Sequence, residues 1–112
     1  MVIYKNVTDV TSIITAHGVG IKSVLLSQAD SCTTFTQLAY GILNINEVIK
    51  PHLHETMEEF YFFTKGEGLF IINEEKFQCL EKTFIKIPAR FIHELKCTSA
   101  TPLEFLYFGI AI

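Results

Sequence analysis

The chain is a succession of short runs of β-branched, aromatic and other apolar residues, separated by turn residues. Examples are residues 20–28, which a polar break at 29–32 follows, residues 69–72, and residues 83–87, which Pro88 closes. Many short strands spaced 8 to 12 residues apart are typical of an all-β sandwich or barrel. A βαβ fold needs crossover connections of about a dozen residues, and the chain has no room for them.

Five further segments have the same β-type composition: residues 35–48, with a bend near Gly41, and residues 59–64, 76–80, 91–97 and 103–112. Two glycines in 65–68 predict a turn, and Asn73 in 73–75 predicts a hairpin turn, because both residue types tolerate positive φ. Helical spacing of apolar residues occurs only at 7–16, where the β-branched residues of 11–15 oppose a helix. We therefore expect a short N-terminal segment that is helical or irregular.

The length of the chain suits one hydrophobic core. A chain of 112 residues buries roughly 65% of the surface of its unfolded form, so we expect a single domain spanning residues 1–112. Hydrophobic residues make up 49% and charged residues 19% of the chain, which excludes a disordered protein. The formal net charge of −3 provides no basic patch, which argues against a nucleic acid or an anionic membrane as partner.

Sequence features also bear on location. No apolar stretch approaches the ~18 residues that span a bilayer, and residues 1–9 lack the basic-then-apolar order of a signal peptide. The three cysteines, Cys32, Cys79 and Cys97, are an odd number and form no CxxC pair, which favours free thiols in a reducing compartment. We expect a cytoplasmic protein whose cysteines are small apolar packing residues.

Two of the four histidines form the sequence Pro51-His52-Leu53-His54. Side chains alternate faces on an extended segment, so His52 and His54 point the same way and Leu53 points away. Two imidazoles on one face can converge on one metal ion. The polar loop after His54 allows Glu59 to open the next strand beside them.

The pattern His52-x-His54-x4-Glu59-x6-Gly66 resembles the first motif of the cupin superfamily, and Pro88-x4-His93 resembles part of its second motif. The resemblance covers residues 45–97, and the strand pattern extends it to both ends. It implies a double-stranded β-helix, that is, a small jelly-roll barrel. It also implies that His52, His54, Glu59 and His93 are metal ligands.

The sequence departs from the family pattern at turn and spacer positions. Asn46, Lys82 and Arg90 stand where the family has glycine, and Cys97 stands where the second motif ends in asparagine. All four ligand positions match. Two alternatives remain open: satisfied structural histidines with a surface glutamate, and a cupin that keeps these residues without holding a metal.

Three nitrogens and one carboxylate suit a divalent transition metal, Fe, Mn, Co, Ni, Zn or Cu, with one or two coordination positions left for water or substrate. The sequence does not choose among these metals. The absence of cysteine from the set argues against a closed structural zinc site. An open position would make the metal reactive toward a bound carbonyl, hydroxyl or water.

Alternation along the strands predicts a largely apolar pocket around the metal. If Glu59 points inward, then so do Tyr61 and Phe63, and from His93 the same rule sends Leu95 and Cys97 inward. The candidate catalytic groups are the Tyr61 hydroxyl and Arg90, which would hold a carboxylate or phosphate of the ligand. The alternatives are core packing for the aromatic residues, solvent exposure for Arg90, and Glu58 as rival fourth ligand. His17 has no partner in the motif, and we expect it to be a loop residue.

The resemblance implies a metal-dependent enzyme for a small molecule, isomerase-like, dioxygenase-like or a lyase, with a carbohydrate-related role favoured. The alternative is a non-catalytic module that uses the metal to bind or sense a small ligand. A metal-free interaction domain is a third possibility. The very apolar residues 103–112 predict an edge strand that needs covering, and hence a homodimer.

Overall fold

The computed structural model describes residues 2–112, which form ten strands and two short 3₁₀ turns. The turns are Val7–Asp9 and Gln28–Asp30. The strands are β1 Ile13–Ile14, β2 Ile21–Ser27, β3 Phe35–Leu43, β4 Val48–His52, β5 Met57–Lys65, β6 Gly68–Ile72, β7 Glu75–Cys79, β8 Phe84–Ile87, β9 His93–Cys97 and β10 Leu103–Ala111.

The strands form two antiparallel sheets, as the all-β prediction requires. One sheet has six strands in the order β1-β2-β3-β10-β5-β8, and the other has four in the order β4-β9-β6-β7. Side chains from both sheets meet in one core, whose fully buried members include Leu43, Phe63, Phe70, Ile87, Leu95 and Leu103. The predicted jelly-roll barrel is confirmed, and the interior between the sheets is where a site can form.

The N-terminal segment is less helical than its spacing suggests. Only Val7–Asp9 forms a 3₁₀ turn, which the Asn6 side chain caps by accepting a hydrogen bond from the Thr8 N–H at 3.0 Å. Ile13 and Ile14 instead pair with Lys22 and Ile21 of β2. β-Branched residues lose side-chain freedom in a helix and fit an extended strand, so pairing with β2 is preferred here.

The strand predicted over residues 35–48 is two strands joined by a turn. β3 ends at Leu43 and β4 begins at Val48. The Asn44 N–H donates to the Glu47 carboxylate at 2.7 Å, and Asn46 has a φ of 66°. This turn matters for function, because it starts the strand that carries the first histidine.

The prediction that residues 103–112 form an exposed edge is wrong. β10 lies in the middle of the six-stranded sheet, paired with β3 on one side and β5 on the other. Its apolar composition reflects burial in the core, where Leu103 and Phe105 are almost fully covered. The apolar composition of residues 103–112 therefore does not support the expected homodimer.

Three turn positions that depart from the cupin pattern nevertheless keep the backbone conformation of glycine. Asn46, Lys82 and Arg90 have φ values of 66°, 68° and 69°. Two of their N–H groups make hydrogen bonds: that of Lys82 donates to the Phe63 carbonyl at 2.7 Å, and that of Arg90 to the His54 carbonyl at 2.8 Å. The turns hold their shape despite the substituted side chains.

The three cysteines are free thiols, as predicted. Cys79 and Cys97 are buried, which confirms their packing role, whereas Cys32 is exposed. No helix within residues 2–112 is long and apolar enough to cross a membrane.

Candidate metal centre

The four residues predicted as metal ligands come together at one point between the two sheets. His52 ends β4 opposite His93, the first residue of β9, in the four-stranded sheet. His54 follows in the loop after β4, and Glu59 faces them from β5 in the six-stranded sheet. Each residue offers one ligand atom, and these atoms all lie within 4.8 Å of one another.

The carboxylate of Glu59 lies at the centre of this cluster. Its Oε1 atom is 3.1 Å from Nε2 of His54 and 3.2 Å from Nε2 of His93. Glu59 and His93 are only 7% and 2% exposed. The Nε2 atoms of His54 and His93 are buried, and neither makes a well-directed hydrogen bond. Buried nitrogens without such a partner are costly unless something else satisfies them.

Two of the histidines are fixed in the tautomer that leaves Nε2 free as a ligand. The Nδ1–H of His52 donates to the Lys50 carbonyl at 2.8 Å, and that of His93 donates to the Phe91 carbonyl at 2.9 Å. A carbonyl oxygen only accepts, so Nδ1 must carry the proton and Nε2 presents its lone pair. Such backbone contacts commonly orient metal-binding histidines.

The electrostatics keep Glu59 ionised. Burial raises the pKa of its carboxyl, but the contacts with His54 and His93 outweigh burial and bring that pKa down to about 2. The same contact with Glu59 raises the pKa of His54, against the effect of burial. Burial lowers the pKa of His52. The site therefore presents one fixed negative charge among imidazoles.

These residues fit a divalent transition metal. Bonds of about 2.1 Å to a common cation require ligand atoms roughly 3 to 4 Å apart, close to the separations found here. The donor set of three imidazole nitrogens and one carboxylate oxygen suits borderline cations. Such an ion would also satisfy the buried Nε2 atoms of His54 and His93, which lack a well-directed hydrogen bond.

The cluster opens into a cavity of about 190 Å³, roughly the liquid volume of six water molecules. Its apolar lining comes from both sheets and includes Leu43, Ile49, Phe70, Leu95 and Phe105. Its lining polar groups, apart from the four clustered residues, include His17, Lys22, Gln37, Tyr61 and Tyr107. The cavity is the size of a small metabolite.

Two tyrosines reach this cavity. The Tyr61 hydroxyl donates to Glu59 Oε1 at 3.4 Å. Burial, together with the charge of Glu59, raises the pKa of Tyr61 well above its usual value and that of Tyr107 to about 12. Both hydroxyls are therefore protonated at neutral pH and act as hydrogen-bond donors. Tyr61 thus occupies the inward position predicted for it.

Other residues named from the sequence lie elsewhere. The Arg90 side chain is 67% exposed and pairs with Glu55 at 3.5 Å, outside the cavity lining. Glu58, the rival ligand, pairs with Lys86 at 3.0 Å. The Cys97 thiol is in the core and contacts the Thr101 carbonyl at 3.4 Å. The predicted contact of Arg90 with a ligand stays a prediction that this geometry does not favour.

Sequence reasoning missed polar residues of the cavity wall, including His17, Lys22, Gln37 and Tyr107. His17, assigned to a plain loop, has its ring centroid 4.2 Å from that of His52. Burial lowers the pKa of His17, and the positive charge of Lys22 acts in the same direction. The local signal for Lys22 was a single charged residue within the apolar β2, whereas the sequence around His17 carries no signal of its position.

Comparison with known proteins agrees with this geometry. A family described as "Cupin domain" matches residues 40–109. Over 69 residues the chain is 32% identical to the uncharacterized protein MJ1618 of Methanocaldococcus jannaschii, which covers 62% of this chain and 55% of that protein. The match thus spans little more than half the length of that relative.

Solved structures show the same fold over the whole chain. A predicted oxalate decarboxylase from Thermotoga maritima superposes with a TM-score of 0.88 at 24% identity, covering 100% of both chains. The polyketide cyclase RemF from Streptomyces resistomycificus gives a TM-score of 0.86 at 19% identity, covering 98% of this chain and 80% of that one. At these identities the likeness concerns the fold.

Proposed function

The chain belongs to the cupin family, and on that premise we propose that it is a mononuclear metalloenzyme for a small molecule. His52, His54, Glu59 and His93 would hold one divalent transition metal. The substrate would bind in the adjoining cavity through the metal's remaining coordination positions. The reaction classes in view are isomerisation, dioxygenation and lyase chemistry.

The convergence of four donor atoms carries this proposal. They come from three separate stretches of the chain and from both sheets, yet lie within 4.8 Å of one another at the end of a cavity. Two buried imidazole nitrogens there have no well-directed hydrogen-bond partner. A purely structural role would leave those nitrogens unsatisfied at a cost of about 1–3 kcal/mol each.

The roles of the chain's own residues follow from the geometry. A bound divalent metal would act as a Lewis acid toward a carbonyl, hydroxyl or water oxygen. The Lys50 and Phe91 carbonyls hold two of the imidazoles in orientation, and the Tyr61 hydroxyl orients the Glu59 carboxylate. The apolar walls exclude bulk water from the reacting oxygen, which strengthens electrostatic interactions there.

One observation favours a second candidate, a non-catalytic binding or sensor protein. General acid–base catalysis needs a group with a pKa near the working pH. Burial raises the pKa of the Tyr61 and Tyr107 hydroxyls, so both stay protonated near neutral pH and cannot serve as general bases. If the protein is an enzyme, the proton would therefore move through His17, the imidazole that lines the cavity outside the ligand set.

Metal analysis tests the site, and adjacent glutamates provide a matched pair of variants. We expect protein purified without chelators to contain close to one transition-metal ion per chain by elemental analysis. Glu59→Gln and His93→Ala should lose most of that metal. Glu58→Gln removes a neighbouring carboxylate that pairs with Lys86 outside the cluster and should keep it. Metal-free wild type, or equal loss in both glutamate variants, would refute the site.

Turnover separates the two candidate functions. The metal-loaded protein is incubated with a panel of small sugars, hydroxy acids and keto acids, and consumption is followed by mass spectrometry and NMR. An enzyme should consume at least one compound and lose that activity in His52→Ala. Ligand-induced spectral changes without consumption across the panel would favour the binding protein.

Location and assembly remain part of the proposal: a cytoplasmic protein that forms a homodimer. The three free thiols support a reducing compartment. Support for a dimer now comes from exposed apolar residues on edge strands, with Ile13 and Ile14 of β1 50% and 69% exposed and Phe84 of β8 59% exposed. Light scattering coupled to size exclusion measures the assembly state directly, and a monomer across micromolar concentrations would exclude the dimer.

A further inference from the structure

A lysine is built into the wall of the metal-facing cavity. Lys22 of β2 is half-buried, and its ammonium donates to the Gln37 side-chain oxygen at 3.0 Å. Within residues 2–112, no carboxylate oxygen lies within 4.0 Å of that ammonium. Charged groups withdrawn from water are normally paired, so an unpaired ammonium in a cavity wall calls for an explanation.

The Lys22 ammonium has more N–H donors than its contact with Gln37 uses. An ammonium group carries three N–H donors, and Gln37 accepts one of them. Gln37 is neutral, so it fixes the position of the side chain without cancelling its charge. The remaining N–H donors and the full positive charge are available to a molecule in the cavity.

The sheet register places Gln37, the partner of the Lys22 ammonium, two strands away from Glu59 in the six-stranded sheet. Glu59 of β5 pairs with Gly109 of β10, which in turn pairs with Gln37 of β3. Adjacent strands lie about 4.8 Å apart, so the backbones of Glu59 and Gln37 are separated by about 10 Å. Lys22 and Gln37 line the same cavity as the four clustered residues. A small molecule in that cavity can therefore contact both Lys22 and the metal ligands.

The charges of the cavity then favour an anion. Glu59 contributes one negative charge and Lys22 one positive charge, so a divalent cation would leave a formal excess of two positive charges. The apolar lining strengthens each of these interactions relative to water. A neutral ligand would leave that excess uncompensated.

We infer that Lys22 determines substrate specificity by binding an anionic oxygen group, a carboxylate or phosphate, at the end of the ligand remote from the metal. Gln37 is the positioning residue that holds the lysine side chain. This inference rests on the proposed function, because it takes the metal centre as the second anchor of the ligand. It narrows the substrate class to small anions that bear a further oxygen donor.

The test compares ligands that differ by one charge. Cobalt(II)-loaded protein is titrated with malonate, succinate and phosphonoacetate, and with the monomethyl esters of malonate and succinate. Binding is read from the visible spectrum of the cobalt. The variants are Lys22→Met, which keeps the stem, Lys22→Arg, which keeps the charge, and Gln37→Leu. Lys86→Met, which removes a lysine outside the cavity, is the matched control.

We expect a dianion to bind wild type about ten- to a hundredfold more tightly than its monomethyl ester, the range for one hydrogen bond to a charged group. Lys22→Met should lower that ratio by about tenfold or more, with cobalt content unchanged. Lys22→Arg should keep most of it, Gln37→Leu should reduce it in part, and Lys86→Met should leave it unaltered. Preference for phosphonoacetate over malonate would identify phosphate as the recognised group, and the reverse would identify carboxylate.

Failure of the inference and failure of the proposed function give different results. If wild type binds cobalt but shows no preference for the dianions, or if Lys22→Met keeps the preference, the specificity role is wrong and the metal site stands. If wild type binds no cobalt, the proposed function itself fails and the specificity role with it. Circular dichroism of each variant separates loss of binding from loss of fold.

Discussion

Lys82 holds a backbone conformation that an L-amino acid adopts at a cost, and replacing it with glycine should stabilise the protein. Its φ is 68°, in the left-handed region. The side chain is exposed and forms no ion pair within 4.0 Å in the described part of the chain. The N–H of residue 82, which donates to the Phe63 carbonyl at 2.7 Å, is retained in the variant.

Two opposing terms set the size of the effect. The left-handed conformation costs a residue with a Cβ atom roughly 1–2 kcal/mol, and glycine removes that cost. Glycine also gives the unfolded chain more freedom, which lowers stability by about 0.4–1 kcal/mol. We therefore expect Lys82→Gly to raise the free energy of unfolding by about 0.5–1 kcal/mol, or the melting temperature by about 2–6 °C.

Urea and thermal denaturation of metal-free protein, with a chelator present, measure this difference. Lys82→Ala is the matched control, because it removes the same side-chain atoms beyond Cβ but keeps the Cβ atom responsible for the strain. Lys82→Ala should be close to wild type. If Lys82→Gly is no more stable than Lys82→Ala, backbone strain at this turn is not the reason, and the reasoning is refuted.

Three further predictions concern the barrel and its site. Gly66→Ala should lower the free energy of unfolding by about 2 kcal/mol or more in urea denaturation, because φ is 75° and a Cβ there would overlap the Pro102 carbonyl oxygen; a stable variant would contradict the turn geometry. Tyr61→Phe removes the hydroxyl that contacts Glu59 at 3.4 Å and should weaken metal binding in a competition titration by about tenfold, with no change implying that the contact is incidental. His17→Ala should leave metal content by elemental analysis at the wild-type level, and loss of metal would make His17 a ligand.

Much of the fold could be predicted because each strand is specified locally. The hairpin around Asn73 forms with β6 and β7 paired as its turn residues predict, and Asn73 has a φ of 46°. The position of β10 could not be read in the same way. An apolar strand suits either a buried centre or an exposed edge that a partner covers, and only the pairing with β3 and β5 distinguishes them.

The cluster at the candidate site could be predicted because its residues match the spacings of the cupin motifs, and alternation along the strand placed Tyr61 on the inner face. The side-chain direction of Arg90 could not be predicted in this way. Arg90 lies in a turn with a φ of 69°, and its side chain pairs with Glu55 at the surface. Lys22 and His17 had no motif to mark them. Their place in the cavity depends on how β1 and β2 pack beside β3, which is a tertiary property.

The four clustered residues belong to both halves of the barrel: Glu59 to one sheet, and His52 and His93 to the other. A cation held by all of them would join the two sheets. Any unfolding that separates the sheets would then have to break coordination bonds first. Loading with metal should then slow unfolding and resist proteases more than it speeds folding. In a cell short of metal, the empty form would be the one degraded first, which would make the abundance of the protein itself follow the metal supply.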